Sequence, residues 1–383
     1  MKILHTSDLH IGKKLFGRER YGEYRAVFSE LKSICEKECV ELVLIAGDVF
    51  DTYTPSAEAE EIFYSGIKLL SEDCAVLVIS GNHDDYVRLT AAATLAEERN
   101  IYILGNNLSP VNCAVRGNTY PVKSGSGWVI FQNTKGENVY INALPYPNEA
   151  RFKEGKSDET FDEKMSRWIK CGEEGKSGDM PSVFLSHIFV AGGLVSDSER
   201  EIDLGGARVV PLKLLPECDY IALGHLHKRQ TLGENAHYCG APMQFSFDEC
   251  GVEKSVNVFD LTLNGVKNLK QVPITSARKL IRLQANGVAD GISLLKNNLE
   301  YFVELTLNLN EPVTPQEVSA LHENENLVLL KAEIMRTETN DTNIISNKNK
   351  SASQLFKDYY KLKFGADAPN ELLSLFLSLT EEE

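Results

Sequence analysis

The sequence lacks the features of a membrane-spanning or disulfide-bonded protein. No apolar run approaches the roughly 20 residues that a helix needs to cross a bilayer. The eight cysteines are spread singly, without a Cys-x-x-Cys pair, a pattern typical of free thiols in a reducing cytoplasm. Positive charge is also scarce, because the 40 lysines and arginines are outnumbered by 55 acidic residues, which gives a net charge of −15. These absences predict a cytoplasmic protein whose surface as a whole does not attract polyanions.

Histidine is rare as well, yet its distribution is the most informative feature of the chain. Five of the eight histidines belong to a set of five short polar segments, each of which follows an apolar run that predicts a buried strand. The segments are Asp8-Leu9-His10, Gly47-Asp48 with Asp51, Gly81-Asn82-His83-Asp84, Ser186-His187 and Gly224-His225-Leu226-His227. Polar side chains at strand ends meet in the crevice beyond an α/β sheet. The sequence therefore predicts one site assembled from five loops, and its start at residue 8 leaves no room for a cleavable signal peptide.

The side chains of these segments form a donor set for metal ions. Carboxylate oxygen, amide oxygen and neutral imidazole together suit manganese, iron or zinc better than calcium or magnesium. The candidate ligands are Asp8, His10, Asp48, Asn82, His187, His225 and His227. Asp48 is the natural bridge, because a carboxylate has two oxygens and can contact two cations about 3.5–4 Å apart. The donor set thus predicts a two-metal site.

Spacing adds two expectations. Asp8 and His10 are two residues apart, so alternation on a strand end would place both side chains on one face, and His225-Leu226-His227 repeats the spacing. His83 need not be a ligand, so it can act as a general acid or donate a hydrogen bond to a transition state. Taken singly, each of these residues would more often be explained by packing or turn chemistry. The remaining histidines keep that interpretation: His5, His237 and His322.

The motifs resemble those of the calcineurin-like metallophosphoesterases. The resemblance rests on Asp-x-His, Gly-Asp-x-x-Asp, Gly-Asn-His-Asp, Ser-His and Gly-His-x-His, in this order. Within that superfamily, longer segments are similar to the nuclease subunits of bacterial double-strand-break repair complexes. These segments are Thr6–Gly12, Ala46–Asp51, Gly192–Glu199, Asp219–His227 and Tyr238–Gln244. The resemblance implies a metal-dependent DNA nuclease that hydrolyses phosphodiester bonds at DNA ends and secondary structures.

The resemblance also implies a role for each site residue. One metal ion would be held by Asp8, His10 and His227, the other by Asn82, His187 and His225, with Asp48 bridging the two and manganese the expected ion. His83 would be the catalytic histidine. Asp51 would be its partner, fixing the tautomer of His83 and raising its basicity. A homodimer formed through the catalytic domain is implied as well.

The order of apolar runs predicts an α/β fold. Strands at 2–7, 42–46 and 75–80 alternate with helices near 23–38, 57–70 and 91–98, and a β-rich pattern follows residue 100. A helix at 161–170 precedes strands at 183–186 and 220–223, and Leu263-Asn264-Gly265-Val266 is a hairpin signal. The family resemblance makes residues 1–275 a four-layer α/β/β/α metallophosphoesterase sandwich.

The character of the chain changes from residue 276. Residues 276–336 predict a β-α-β-α-β unit without metal motifs, which resembles the capping domain that shapes a DNA groove in this family. Residues 337–353 are rich in Asn, Thr, Ser and Lys and predict a flexible linker. A helix pair over 354–383 closes the chain, with amphipathic helices at 354–364 and 370–379. So short a pair cannot bury its apolar faces alone, so it docks either on its own catalytic domain or on a partner. The resemblance implies that this partner is the coiled coil of an SMC-like ATPase.

Two other functions stay open at this point. The same motifs would serve a small-substrate phosphatase or phosphodiesterase, although such a substrate needs neither the capping unit nor the helix pair. The other alternative is a DNA-end scaffold with secondary catalytic activity. Four basic residues that follow the first motif are candidates for phosphate contacts or, equally, part of a solvated loop: Lys13, Lys14, Arg18 and Arg20. The acidic net charge predicts that a partner contributes to DNA affinity.

Overall fold

A computed structural model of the chain describes residues 1–106, 110–152, 155, 158–178, 180–196, 209–334, 352–364, 369 and 372–373. The chain divides into two units, Met1–Glu333 and Ile334–Glu383. Within the described residues, no helix has the length and apolar character needed to cross a membrane.

The elements of the described residues follow in chain order. The strands are β1 (Lys2–Thr6), β2 (Leu42–Ala46), β3 (Ala75–Ile79), β4 (Ile101–Leu104), β5 (Thr119–Gly125), β6 (Trp128–Asn133), β7 (Asn138–Leu144), β8 (Ser182–His187), β9 (Tyr220–Gly224), β10 (Gln230–Leu232), β11 (Ala236–Tyr238), β12 (Ser255–Thr262), β13 (Gly265–Pro273), β14 (Leu280–Asn286), β15 (Phe302–Leu309) and β16 (Leu327–Ile334). The helices are α1 (Tyr21–Glu38), α2 (Ala57–Leu70), α3 (Tyr86–Leu89), α4 (Ala93–Glu97), α5 (Phe161–Cys171), α6 (Val288–Lys296), α7 (Pro315–His322) and α8 (Ala352–Phe364).

Two large sheets stack face to face in the first unit. Their strand orders are β13-β12-β1-β2-β3-β4 and β10-β11-β9-β8-β7-β6-β5. Leu44 and Ile79 of the first sheet and Phe131 and Leu185 of the second belong to the apolar core between them. Helices α1 and α2 share a core with the outer face of the first sheet, and α5 shares one with the outer face of the second. The predicted four-layer α/β/β/α sandwich is confirmed.

The composition of the central strands explains this layering. In β2, Leu44 joins the core between the sheets, while Val43 and Ile45 join the core under α1 and α2. A strand that is covered on both faces reads as a continuous apolar run, without polar alternation. Because β1, β2 and β3 pair in parallel, and β8 pairs in parallel with β9, their carboxyl ends lie at one edge of each sheet.

Most predicted elements of this unit are present, with shifted ends. The helix predicted near 91–98 is present as the slightly shorter α4, and a further short helix, α3, precedes it. The predicted hairpin joins β12 to β13, with Thr262 paired with Gly265 across a two-residue turn. Gly265 has φ +80°, a left-handed conformation that glycine adopts without a steric penalty.

A third sheet follows the sandwich within the same unit. Its order is β14-β15-β16, and α6 and α7 share its core, so the predicted β-α-β-α-β order is confirmed. Leu280 and Phe302 of this sheet pack with Leu15 and Phe247 of the sandwich. The Arg18 guanidinium donates to the main-chain oxygen of Leu327 at 2.6 Å. The third sheet is therefore anchored beside the loop that follows the first motif.

The second unit is described mainly by one helix. Helix α8 corresponds to the helix predicted at 354–364. The predicted linker at 337–353 falls almost wholly outside the described residues. So does the predicted helix at 370–379, of which only the helical Leu372 and Leu373 are described.

Candidate metal centre

The five predicted segments converge at the carboxyl ends of the two sheets, where Ser186-His187 forms the end of β8. Asp8 and Asp48 lie on neighbouring loops, which continue the pairing of β1 with β2 through a hydrogen bond from Asp8 N to Gly47 O at 3.1 Å. A hydrogen bond from His225 N to Asp8 Oδ1, 2.9 Å long, then links the second sheet to the first. All seven predicted ligands are brought into one buried cluster, with Asn82 at its more accessible side.

One half of the cluster consists of Asp8, His10 and His227. Their potential ligand atoms all lie within 4.8 Å of one another. The two Nε2 atoms of His10 and His227 are 3.0 Å apart, and both side chains are buried. Two imidazole nitrogens and a carboxylate that converge in this way form a donor set that suits a transition-metal ion.

The other half is centred on Asn82. Its Oδ1 lies 2.8 Å from His187 Nε2 and 3.1 Å from His225 Nδ1. Asp48 lies between the halves, because its Oδ2 is 3.5 Å from His10 Nε2 and 3.3 Å from His187 Nε2. Among the described atoms, the buried Nε2 of His225 has no hydrogen-bond partner. These oxygen and nitrogen donors fit two divalent cations.

The electrostatics of the cluster favour metal binding. Burial lowers the pKa of His10 to about 4 and that of His225 to about 3, so both imidazoles are neutral at pH 7. Burial opposes the charge of His187, but the carboxylates of Asp48 and Asp8 outweigh it and raise its pKa to about 9. Burial also opposes the charge of Asp48, yet His187 and neighbouring histidines hold its pKa well below the usual value. Without a metal ion, His187 therefore carries a proton at neutral pH, and metal binding would release it.

Two histidines are oriented by main-chain carbonyl groups. His187 Nδ1 is 2.8 Å from the oxygen of Ala46, so it donates there and directs Nε2 towards Asn82 and Asp48. His83 Nδ1 is 2.8 Å from the main-chain oxygen of Asp51, so it donates there, and Nε2 becomes the ring nitrogen that can exchange a proton. A hydrogen bond donated by one ring nitrogen selects the tautomer of the imidazole and so leaves the other nitrogen available as a ligand or a base.

The carboxylate of Asp51 faces a different histidine. Its Oδ1 lies 3.4 Å from His10 Nδ1 and 3.4 Å from Lys13 Nζ. Asp51 therefore contacts His83 through its main chain and His10 through its side chain. The family resemblance implies that Asp51 fixes the tautomer of His83, and the atom of Asp51 that His83 Nδ1 contacts is the main-chain oxygen.

Three glycines allow the loops to approach one another. A Cβ at Gly47 would come within 2.5 Å of the His187 ring, one at Gly81 within 2.0 Å of Asp48 Oδ1, and one at Gly224 within 1.8 Å of the oxygen of Ala46. All three distances are shorter than any van der Waals contact. The Gly-Asp, Gly-Asn-His and Gly-His motifs therefore contain glycine for steric reasons.

The predicted strand alternation of the ligands is wrong. Asp8 and His10 follow the end of β1 and have φ angles of +53° and +45°, and His225 follows β9 with φ +109°. These are turn conformations, in which alternate side chains do not share a face by pleating. Left-handed φ at residues other than glycine costs roughly 1–3 kcal/mol each and persists where the surroundings enforce it.

Several residues that hold the site together had no predicted role. The buried Asp84 carboxylate accepts from the main-chain N–H groups of Gly81 at 2.8 Å and Phe50 at 3.0 Å, and so ties two ligand loops together. The buried Lys254 Nζ donates to the oxygen of His227 at 3.0 Å. Asp84 is signalled by its place in the Gly-Asn-His-Asp motif, whereas Lys254 has no local signal in the sequence.

The basic residues after the first motif are mostly structural. Arg20 is buried and pairs with Glu23 at 2.7 Å, and Arg18 binds the third sheet as described above. The exposed Lys14 pairs with Glu19 at 2.6 Å. Lys13 alone among these four lies beside the metal cluster, next to Asp51.

Comparison with known proteins defines the class and then the group. Residues 1–229 match the family described as calcineurin-like phosphoesterase. The chain is 34% identical to the D subunit of the nuclease SbcCD from Bacillus subtilis (strain 168), over 100% of this chain and 99% of that protein. It is 31% identical to the same protein of Rhodobacter capsulatus (76% and 73% covered) and 28% identical to that of Escherichia coli K12 (74% and 71%). The chain therefore belongs to the calcineurin-like phosphoesterase family, in the group that contains the D subunits of SbcCD nucleases.

Proposed function

We propose that this protein is a metal-dependent DNA nuclease that works as the D subunit of an SbcCD-type complex. The observation that carries the proposal is the position of Asp48 Oδ2, 3.5 Å from a nitrogen of His10 and 3.3 Å from one of His187. A carboxylate between two donor clusters could hold two cations close together, as two-metal phosphodiester hydrolysis needs. The similarity to the D subunit of the nuclease SbcCD over the whole chain supports DNA as the substrate.

The proposed ligand roles follow the two halves of the cluster. Asp8, His10 and His227 would hold one ion, Asn82, His187 and His225 the other, and Asp48 both. Manganese is the proposed metal, because mixed carboxylate, amide and imidazole donors suit it. When bound, the ions supply an activated water and stabilise negative charge on the phosphoryl oxygens.

His83 would supply the proton for the leaving oxygen. Its Nδ1 is engaged by the main-chain oxygen of Asp51, so Nε2 can carry and release a proton. Its ring centroid lies 4.8 Å from that of His10, and the ring is only half-buried, so a phosphodiester at the metal cluster could reach it. A positioned general acid typically contributes about 10²–10⁴-fold to the rate.

Three further assignments belong to the same proposal. The C-terminal helices, of which α8 presents Leu355 and Tyr359 as exposed apolar side chains, would bind the coiled coil of an SbcC-type SMC-like ATPase. The protein would form a homodimer through its catalytic domain, where Val87 and Leu95 are exposed on α3 and α4. It would work in the cytoplasm, where its DNA substrate lies and where its eight free cysteines stay reduced.

The proposed domains divide the chain at 275, 336 and 353. The separate sheet and core of β14–β16 support a capping domain at 276–336, after a nuclease domain at 1–275. The linker at 337–353 and the helix pair at 354–383 rest on sequence composition.

One assay distinguishes the candidate functions. The purified chain is incubated with plasmid DNA, with bis-p-nitrophenyl phosphate and with the monoester p-nitrophenyl phosphate, each with and without Mn²⁺. We expect Mn²⁺-dependent cleavage of DNA and of the diester. Cleavage of the monoester alone would instead identify a phosphatase, and DNA binding without cleavage would identify a scaffold.

A further inference from the structure

Arg151 crosses from one sheet to the other to reach the turn that carries Asn82 and His83. It follows β7 of the second sheet, whereas the turn follows β3 of the first. Its side chain is buried, and its guanidinium donates to Gly81 O at 2.8 Å and to Asp84 O at 2.7 Å. Longer bonds reach Asn82 O at 3.4 Å and Ser80 Oγ at 3.3 Å.

This set of acceptors surrounds the functional pair. Main-chain oxygens of the residue before Asn82, of Asn82 itself and of the residue after His83 all point to one guanidinium. Arginine can satisfy them together because its five N–H donors are held in a rigid planar fork. Burying a cation costs free energy unless hydrogen bonds compensate. The carbonyl groups of the turn therefore stabilise the buried guanidinium, and the guanidinium in turn restrains the turn.

Two aromatic rings fix the position of the guanidinium. Its central carbon lies 5.2 Å from the ring centre of Tyr146 and 5.7 Å from that of Tyr86. The N–H of Tyr146 also donates to the oxygen of Ser80 at 3.0 Å. Segment 145–151, which follows β7 of the second sheet, thus contacts the turn after β3 of the first sheet at several points.

The opposite side of the turn is held by carboxylates. Asp84 accepts from the N–H of Gly81 at 2.8 Å, and Asp48 accepts from the N–H of His83 at 2.9 Å. The N–H groups of the turn therefore face anionic side chains, and its carbonyl groups face Arg151. Displacing the turn by a fraction of an ångström would move Asn82 away from His187 and His225, and His83 with it.

We propose that Arg151 is a positioning residue, which sets the placement of Asn82 towards the metal ions and of His83 towards the leaving oxygen. The proposal rests on the functions proposed above for those two residues. Substituting a residue that orients a metal ligand without itself binding the metal typically lowers metal affinity or activity by about 10–100-fold.

The test compares the Arg151→Met and Arg151→Lys variants with the wild-type protein, each as the full-length chain. Mn²⁺ affinity is measured by titration calorimetry, kcat and KM on bis-p-nitrophenyl phosphate, and the melting temperature without metal by circular dichroism. We expect Arg151→Met to lower both kcat and Mn²⁺ affinity by about 10–100-fold, with KM little changed. Arg151→Lys should recover part of the loss, because an ammonium group has up to three donors but no planar fork.

Controls separate positioning from general stability. Arg167→Met removes an exposed arginine of α5 that pairs with Glu159 at 2.8 Å, and should change neither affinity nor kcat. A folded Arg151→Met protein with wild-type affinity and kcat would overturn the inference, as would a loss that merely matches its unfolded fraction. If Arg151→Met does not fold, Arg151→Lys decides: a lower kcat at unchanged KM supports positioning, and wild-type values refute it. Asn82→Ala and His83→Ala, measured alongside, show whether the underlying roles hold at all.

Discussion

His83 and His187 are the same residue type with opposite surroundings, and the difference lies in what each nitrogen contacts. His187 is fully buried between two carboxylates, which raise its pKa to about 9 despite its burial. His83 is half-buried, with one nitrogen bound to a main-chain oxygen. The first environment suits a ligand that exchanges a proton for a metal ion, and the second suits a proton donor.

Asp51→Asn should weaken metal binding more than it slows catalysis. The carboxylate lies 3.4 Å from His10 Nδ1, whereas His83 is contacted by the main-chain oxygen, which the substitution keeps. We expect Mn²⁺ affinity to fall about 10–100-fold while kcat at saturating Mn²⁺ stays near wild type.

His83→Ala is the matched comparison for this prediction. It should retain its metal ions and lose about 10²–10⁴-fold in kcat, and His322→Ala, on the exposed end of α7, should lose nothing. Metal analysis by mass spectrometry beside rate measurements reads out both variants. An Asp51→Asn protein with normal affinity and a kcat as low as that of His83→Ala would show that the carboxylate acts through His83.

Mn²⁺ affinity should rise with pH. In the metal-free protein His187 has a pKa of about 9, so it carries a proton at neutral pH and must release it to become a ligand. A ligand that loses one proton gains about tenfold in apparent affinity per pH unit, and the gain ends as pH passes the pKa. Calorimetric titrations at several pH values, each in two buffers of different ionisation enthalpy, measure affinity and proton release. A pH-independent affinity between pH 7 and pH 9 would contradict the prediction.

At the scale of elements, the site depends on how closely the loops after β2, β3, β8 and β9 approach one another. The three glycines that precede ligands or the ligand turn stand where a side chain would collide with a neighbouring loop. Gly47, Gly81 and Gly224 directly precede Asp48, Asn82 and His225, so a shift at any of these glycines moves the candidate ligand that follows it.

Gly224→Ala should therefore damage the site, whereas Gly22→Ala should not. A Cβ at Gly224 would lie 1.8 Å from the oxygen of Ala46, while a Cβ at Gly22 in α1 has no atom within 4 Å. We expect Gly224→Ala to lower the free energy of unfolding by about 1–3 kcal/mol and to abolish stoichiometric Mn²⁺ binding. Gly22→Ala should leave binding intact and keep or raise stability, because alanine is favoured over glycine in helices. Urea denaturation and metal analysis test the pair, and normal metal content in Gly224→Ala would refute the explanation.

The sequence predicted the elements and the convergence of the candidate ligands because both depend on local pattern. Continuous apolar runs marked β2 and β3, and each ended at residues with metal-binding chemistry. The contacts of Asp51 and Arg151 could not be predicted in this way, because they depend on which side of a turn faces the neighbouring loop. The left-handed φ angles of Asp8 and His10 were missed for the same reason, since spacing alone does not distinguish a strand end from a turn.

At the scale of the whole molecule, the two units divide the proposed tasks. Every proposed ligand lies in Met1–Glu333, and the proposed partner-binding helices lie in Ile334–Glu383. The net charge of −15 is consistent with DNA affinity that depends partly on another protein.

Deleting residues 351–383 should leave a folded, Mn²⁺-dependent enzyme. We expect cleavage of bis-p-nitrophenyl phosphate and single-stranded DNA at the wild-type rate, and loss of stable association with an SbcC-type coiled coil. Phe356→Asp with Leu373→Asp should have the same effect on association without shortening the chain, because it places charges among apolar contacts. Size-exclusion binding and nuclease assays measure the two effects. A truncated protein that unfolds or loses intrinsic cleavage would place the helices within the catalytic core instead.

The division of the ligands between two sheets has a consequence for how the protein is made. The proposed ligands Asp8, His10 and Asp48 are synthesised early. His187, at the end of β8, and His225 and His227, which follow β9, emerge much later. A nascent or half-folded chain therefore holds only part of the donor set, without the bond from His225 N to Asp8 that joins the two sheets. On the proposed ligand roles, such a chain lacks a complete metal site, so we expect cleavage only after the two sheets have packed together.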